Sequence, residues 1–155
     1  MSKPSLARDL ITTATEAYKL YPKNCSGAVH WVIVNMVDPQ MPPLVANDLM
    51  GYFASPANGW RQVLSIQEAS DLANRGIVVV AGKATHGGYG HVIIVLPGPW
   101  KPAGGYLGIP KNGSYPPAMS TSIGTWAGAV SNGDKTIRDP WTETDWKSVS
   151  YWTHK

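Results

Sequence analysis

"YPKNCSGAVHWVIV", residues 21–34, contains the one cysteine of the chain. Small and polar residues, Asn24 to Gly27, surround the thiol, and an apolar run follows at once. With no second cysteine an internal disulfide is impossible, and a structural thiol belongs inside the apolar run rather than at its mouth. The run has the spacing of a buried helix, Val29, Val32, Ile33 and Met36 facing inward, from Cys25 to about Val37. Cys25 would then sit at a helix N-terminus, where unpaired N–H groups and the macrodipole favour a thiolate and a lowered pKa. The same N–H groups could stabilise an oxyanion, with Asn24, Ser26 and Gly27 positioning substrate around it.

Working outward, Leu6, Leu10, Ile11, Ala14 and Tyr18 give an earlier helix that Pro22 ends. "DPQMPPLVAN" (38–47) reads as turn, a short helix follows near 48–53, and Ser65 with Glu68 forms a capping box for a helix to about Asn74. Then the pattern changes. "GIVVVAGK" (76–83) and "HVIIVLPG" (91–98) are β-branched runs bounded by glycine, which read as buried strands. Residues 97–118 form a Pro/Gly-rich loop of the kind that rims a site, and further strands are expected at about 122–130, 136–138 and 148–153. Helices first and an antiparallel meander after them make an α+β domain.

The 155 residues suit one compact domain with a real core, taken as 1–155. Only 15% of residues are charged, and a net charge of +3 from scattered Lys and Arg forms no stripe for nucleic acid. A weakly basic surface favours encounter with an anionic polymer such as bacterial cell wall. No stretch approaches membrane-spanning length, and residues 1–22 lack the apolar core of a Sec signal, so export is expected to use another route.

A thiol nucleophile needs a proton acceptor. His30 lies one and a half helical turns past Cys25, too far round for direct contact. His86 falls in a glycine-rich turn, and His154 stands next to the end of the sequence. His91 opens a core strand directly after "GGYG", with Val92 to Val95 anchoring its backbone, and is the expected general base. Two bland readings stand beside this one: a buried small hydrophobe for Cys25 and a merely polar strand end for His91.

"NCSGAV" opening a helix and "YGHVIIV" opening a strand resemble the Cys and His motifs of the NlpC/P60-type papain-like amidases. The match looks closest to type VI secretion amidase effectors of the small subfamily that cuts the D-glutamyl–diaminopimelate bond of peptidoglycan. "MPPLVANDLM", "GIVVVAGK", "GTWAGAV" and "SVSYW" extend the resemblance along the chain. It implies a papain-like fold with N-terminal helices packed on a small antiparallel sheet, Cys25 as nucleophile and His91 as general base and acid. Aligned through "GTWAGAV", the third, orienting position falls on Ile123, whose backbone carbonyl could hold the imidazole, or on neighbouring Ser122. The resemblance implies no metal and no cofactor. It further implies a protein made in the cytoplasm, injected by a contractile apparatus, acting on peptidoglycan in a target periplasm, and held in check by a cognate immunity protein. Nucleic-acid binding and membrane insertion are not expected. The rivals are a CHAP-like endolysin cutting another wall bond, and a non-catalytic module using Trp60, Trp100, Tyr106 and Tyr115 to stack on glycan or bases.

Overall fold

A computed structural model describes residues 4–85, 89–108 and 113–155. Helix α1 spans Pro4–Leu20 and buries Leu10, Ala14 and Ala17 along one stripe. After a turn, α2 (Cys25–Met36) buries Ala28, Val29, Val32 and Ile33. Asn24 caps α2, its Oδ1 accepting from the Gly27 N–H at 2.9 Å. Helix α3 (Ala46–Ala54) follows the proline-rich turn and seats Leu49 and Phe53 in the core. Helix α4 (Ile66–Asn74) starts at the Ser65 cap, whose hydroxyl accepts from the Glu68 N–H.

Six strands form the main sheet: β1 (Trp60–Val63), β2 (Val79–Lys83), β3 (His91–Val95), β6 (Pro117–Ser120), β7 (Ser131–Thr136) and β8 (Ser150–His154). Their order is β1-β8-β2-β3-β6-β7, and each neighbouring pair is antiparallel. A two-stranded ribbon, β4 (Lys101–Pro102) with β5 (Ser114–Tyr115), stands apart. A short helix α5 (Glu143–Trp146) leads into β8. Strand β3 is central and buried along its length, as a β-branched run must be when both faces are covered. Helix α2 packs on β3, and α3 reaches β1, β2 and β3. The architecture is therefore α+β, as the order of the sequence patterns predicts. No helix among the described residues is long and apolar enough to cross a membrane.

Four expectations change. The strand expected at about 136–138 lies earlier, as β7 (Ser131–Thr136), and residues 137–140 are turn. Residues 121–130 are not a strand. Gly128 takes a left-handed φ of 89°, and the Trp126 indole N–H donates to the Pro140 carbonyl at 2.8 Å. These bend and tie the segment into a loop, and the strands lie on either side of it as β6 and β7. Residues 97–118 are not plain loop, for they contain β4, a 3-10 turn at Gly105–Leu107, β5 and the first part of β6. "WRQV" is an unforeseen edge strand, too short and polar to show a pattern, which exists because it pairs with β8.

Candidate active site

The site forms where the start of α2 meets the start of β3. The backbone N–H groups of Val92, Ser26 and Cys25 itself lie close enough to the Cys25 sulfur to favour its charged form. The thiol therefore abuts the strand at the residue following His91. Asn47 of α3 steadies the approach to β3: its side chain donates to the Thr85 carbonyl and accepts from the Thr85 N–H. Gly90 is required there, because a Cβ on it would strike Asn47 Oδ1 and the Lys83 carbonyl.

His91 is 8% exposed. Its ring meets Trp126 and Trp141 edge-on, at 5.8 and 5.3 Å between centroids. Nε2 lies 3.0 Å from Ser120 Oγ, and the Ser120 hydroxyl donates to the Ala129 carbonyl at 2.6 Å. A serine has one proton to give. With that proton on Ala129, Ser120 can only accept from His91, so the neutral ring carries its proton on Nε2 and leaves Nδ1 as the basic nitrogen. This is the protonation pattern a thiol nucleophile needs from its partner.

The hydrogen bond that holds the ring is made to Ser120, rather than to Ser122 or the Ile123 carbonyl as expected. Ser122 Oγ accepts from the Gly124 N–H at 2.9 Å, and Ile123 is 77% exposed on the turn beyond it. The reason lies in the register. Strand β3 pairs with β6 through Ile94 opposite Met119, so Ser120 stands across from Ile93, on the face that His91 also uses. Ser120 is then the diagonal neighbour of His91. Ser122 shares that face by parity, but β6 ends at Ser120 and the chain turns away. Asp134 and Asp139 are engaged elsewhere. Asp139 accepts from the Gly104 and Thr136 N–H groups and the Thr136 hydroxyl, and Asp134 from the Asn132 N–H and Lys135. Ser120 could have been found from sequence only by counting strand parity back from a turn whose position was not evident.

The electrostatics also correct an expectation. Burial pushes the Cys25 thiol above its usual value, and the N–H groups of Val92, Ser26 and Cys25 only partly oppose it. Burial likewise pushes His91 down to about 4. Both directions favour the uncharged forms, a neutral thiol at Cys25 and a neutral imidazole at His91.

The residues expected to position substrate serve local structure first. Asn24 Oδ1 also accepts from the Ser26 hydroxyl at 3.1 Å, and a Cβ on Gly27 would come within 2.7 Å of Asn24 Nδ2 and 2.8 Å of Tyr21 Cδ1. Residues flanking Cys25 in the chain border two separate grooves, and Cys25 itself lines neither. Asn24, Ser26 and Gly27 border the first, while Pro22, Lys23 and Trp126 border the second. From the 97–118 segment, Tyr106 reaches the second groove, whose wall is mainly residues 122–130.

The other histidines stand apart from this chemistry. His30 Nε2 is bonded to the Met41 carbonyl, His154 sits edge-on to Trp60 on β8, and His86 lies outside the described residues. Among the described residues no group of three or more His, Cys, Asp or Glu side chains could hold a metal ion. Three of the four aromatics of the binding-module reading are engaged in packing. Trp60 is 3% exposed, the Trp100 indole donates to Ser70, and Tyr115 packs edge-on to Trp146. No family model matches the chain, and no curated protein is significantly similar to it.

Proposed function

We propose that this chain is a cysteine amidase of papain-like, NlpC/P60 type that hydrolyses an amide of peptidoglycan stem peptides, the D-glutamyl–diaminopimelate bond. The observation that carries the reading is a thiol at a helix N-terminus, set against the strand that begins with a histidine whose Nε2 is held by Ser120. In the reaction, the Cys25 proton passes to His91 Nδ1 as sulfur bonds to the carbonyl carbon. The oxyanion develops near the N–H groups of Cys25 and Ser26. His91 Nδ1 then protonates the departing amine, and water, deprotonated by the same nitrogen, cleaves the thioester. Ser120 keeps the ring in one tautomer throughout.

The biological setting follows from the motif resemblance: an antibacterial effector delivered by a type VI apparatus to the periplasm of a target cell, with a dedicated immunity protein in the producer. Mass spectrometry of purified diaminopimelate-type peptidoglycan digested with the protein tests the activity. New fragments split between glutamate and diaminopimelate, absent with Cys25→Ala, are expected. Fragments from another bond would transfer the protein to the endolysin reading, and an unchanged sacculus would defeat both.

A further inference from the structure

The groove beside Cys25 holds a histidine that the chemistry above does not use. This groove, of about 290 Å³, is lined by Tyr21, Ser26, His30, Pro43, Leu44 and Val45, together with Asn24 and Gly27. His30 Nε2 lies 2.8 Å from the Met41 carbonyl oxygen. A carbonyl only accepts, so Nε2 carries a proton and the neutral ring has its lone pair on Nδ1. Nothing among the described residues donates to that nitrogen. Ser26 gives its hydroxyl proton to Asn24 Oδ1, so it too presents lone pairs.

No Asp, Glu, Lys or Arg lines this groove, and one wall, Pro43 to Val45, is apolar, with Val45 63% exposed. An ionised group entering it would lose water and gain no counter-charge. A neutral peptide segment would lose little, its amide N–H meeting the free acceptors and a small aliphatic side chain lying on the apolar wall. The second groove, of about 430 Å³, differs in having cations along it, Lys23 and a Lys135 that is paired with Asp134.

Building on the amidase reading, we propose that the first groove is a substrate subsite in which His30 Nδ1 accepts an amide N–H from an uncharged residue of the peptide, making His30 a specificity-determining residue. Anionic residues of the same substrate lie on the lysine side of the nucleophile.

The test uses stem tetrapeptides N-methylated at one non-scissile amide at a time, with wild-type protein and His30→Phe. One methylation should raise KM about tenfold in the wild type, the worth of one hydrogen bond, with kcat unchanged. In His30→Phe the same methylation should make no difference. Equal sensitivity of the two proteins to every methylated peptide overturns the subsite. A wild-type protein that cleaves none of the peptides defeats the amidase reading instead. The ring nitrogen shifts of His30 on adding the unmethylated peptide then decide: a shift confined to Nδ1 supports the subsite, and unmoved signals overturn it. Melting curves of His30→Phe separate lost recognition from lost folding.

Discussion

Ser120 Oγ stands 3.0 Å from His91 Nε2, and its only proton is committed to the Ala129 carbonyl. The hydroxyl is therefore an acceptor, and the imidazole has one tautomer available. A serine holds this imidazole as a carboxylate or amide does in thiol and serine hydrolases, with the 121–130 loop supplying the carbonyl that keeps the hydroxyl turned.

Ser120→Ala should leave a buried N–H on His91 without a partner, a loss of about 1–3 kcal/mol. If that loss falls on the transition state, kcat drops roughly 10- to 100-fold. Steady-state kinetics on stem peptides should show the loss in kcat with KM little changed. Ile123→Ala and Ser122→Ala should retain most of the rate, because neither side chain hydrogen-bonds the ring. A larger kcat loss for Ser122→Ala than for Ser120→Ala would reverse the assignment.

Burial of neutral His91 links stability to pH. The folded value is pushed down to about 4, against 6.5 for the free residue, so the unfolded chain binds the proton more readily. The contribution is fully present above pH 6.5 and is lost as pH falls toward 4, in total about 3 kcal/mol. Urea unfolding at pH 7.5 and 4.5 should show most of that difference in wild type and a smaller one in His91→Asn. Identical pH dependence of the two would place the acid sensitivity elsewhere.

Burial of the Cys25 thiol governs its reactivity. With its pKa raised by burial, iodoacetamide should modify it more slowly at pH 7 than it modifies a free cysteine, and the rate should keep climbing on the alkaline side of the pH at which a free cysteine levels off. Fast alkylation at pH 6, lost in His91→Ala, would mean instead that a thiolate–imidazolium pair dominates at rest.

The Asn24 cap fixes the start of α2, where Cys25 stands. Asn24→Ala should cost about 1 kcal/mol of stability, and Asn24→Asp, which keeps an acceptor for the Gly27 N–H, should cost less. Gly27→Ala forces a Cβ onto Asn24 and Tyr21 and should destabilise by about 1–3 kcal/mol. Thermal melts of the three variants rank the effects, and a Gly27→Ala protein as stable as wild type would show that the cap yields without cost.

Local pattern alone settled a good part of this molecule. The existence of α1, the buried face of α2, the Ser65 cap of α4 and the two central strands all rest on periodicity, capping residues and glycine boundaries, which act over a few neighbours in the chain, while on α1 Leu6 and Ile11 are exposed and Ala17 is buried instead. The same reasoning singled out Cys25 and His91, since each stands at the end of an element whose apolar residues anchor it. Tertiary structure alone decided the rest. Ser120 reaches His91 because the β3–β6 register sets the two on one sheet face, and register belongs to a pair of strands rather than to either. The short strand at Trp60–Val63 exists because β8 pairs with it, and residues 121–130 form a loop because Trp126 is tied to Pro140, fourteen residues on. The raised thiol and lowered imidazole have the same origin. A helix N-terminus read by itself favours a thiolate, and only the packing of α2 on β3 removes the water that would have stabilised the charge.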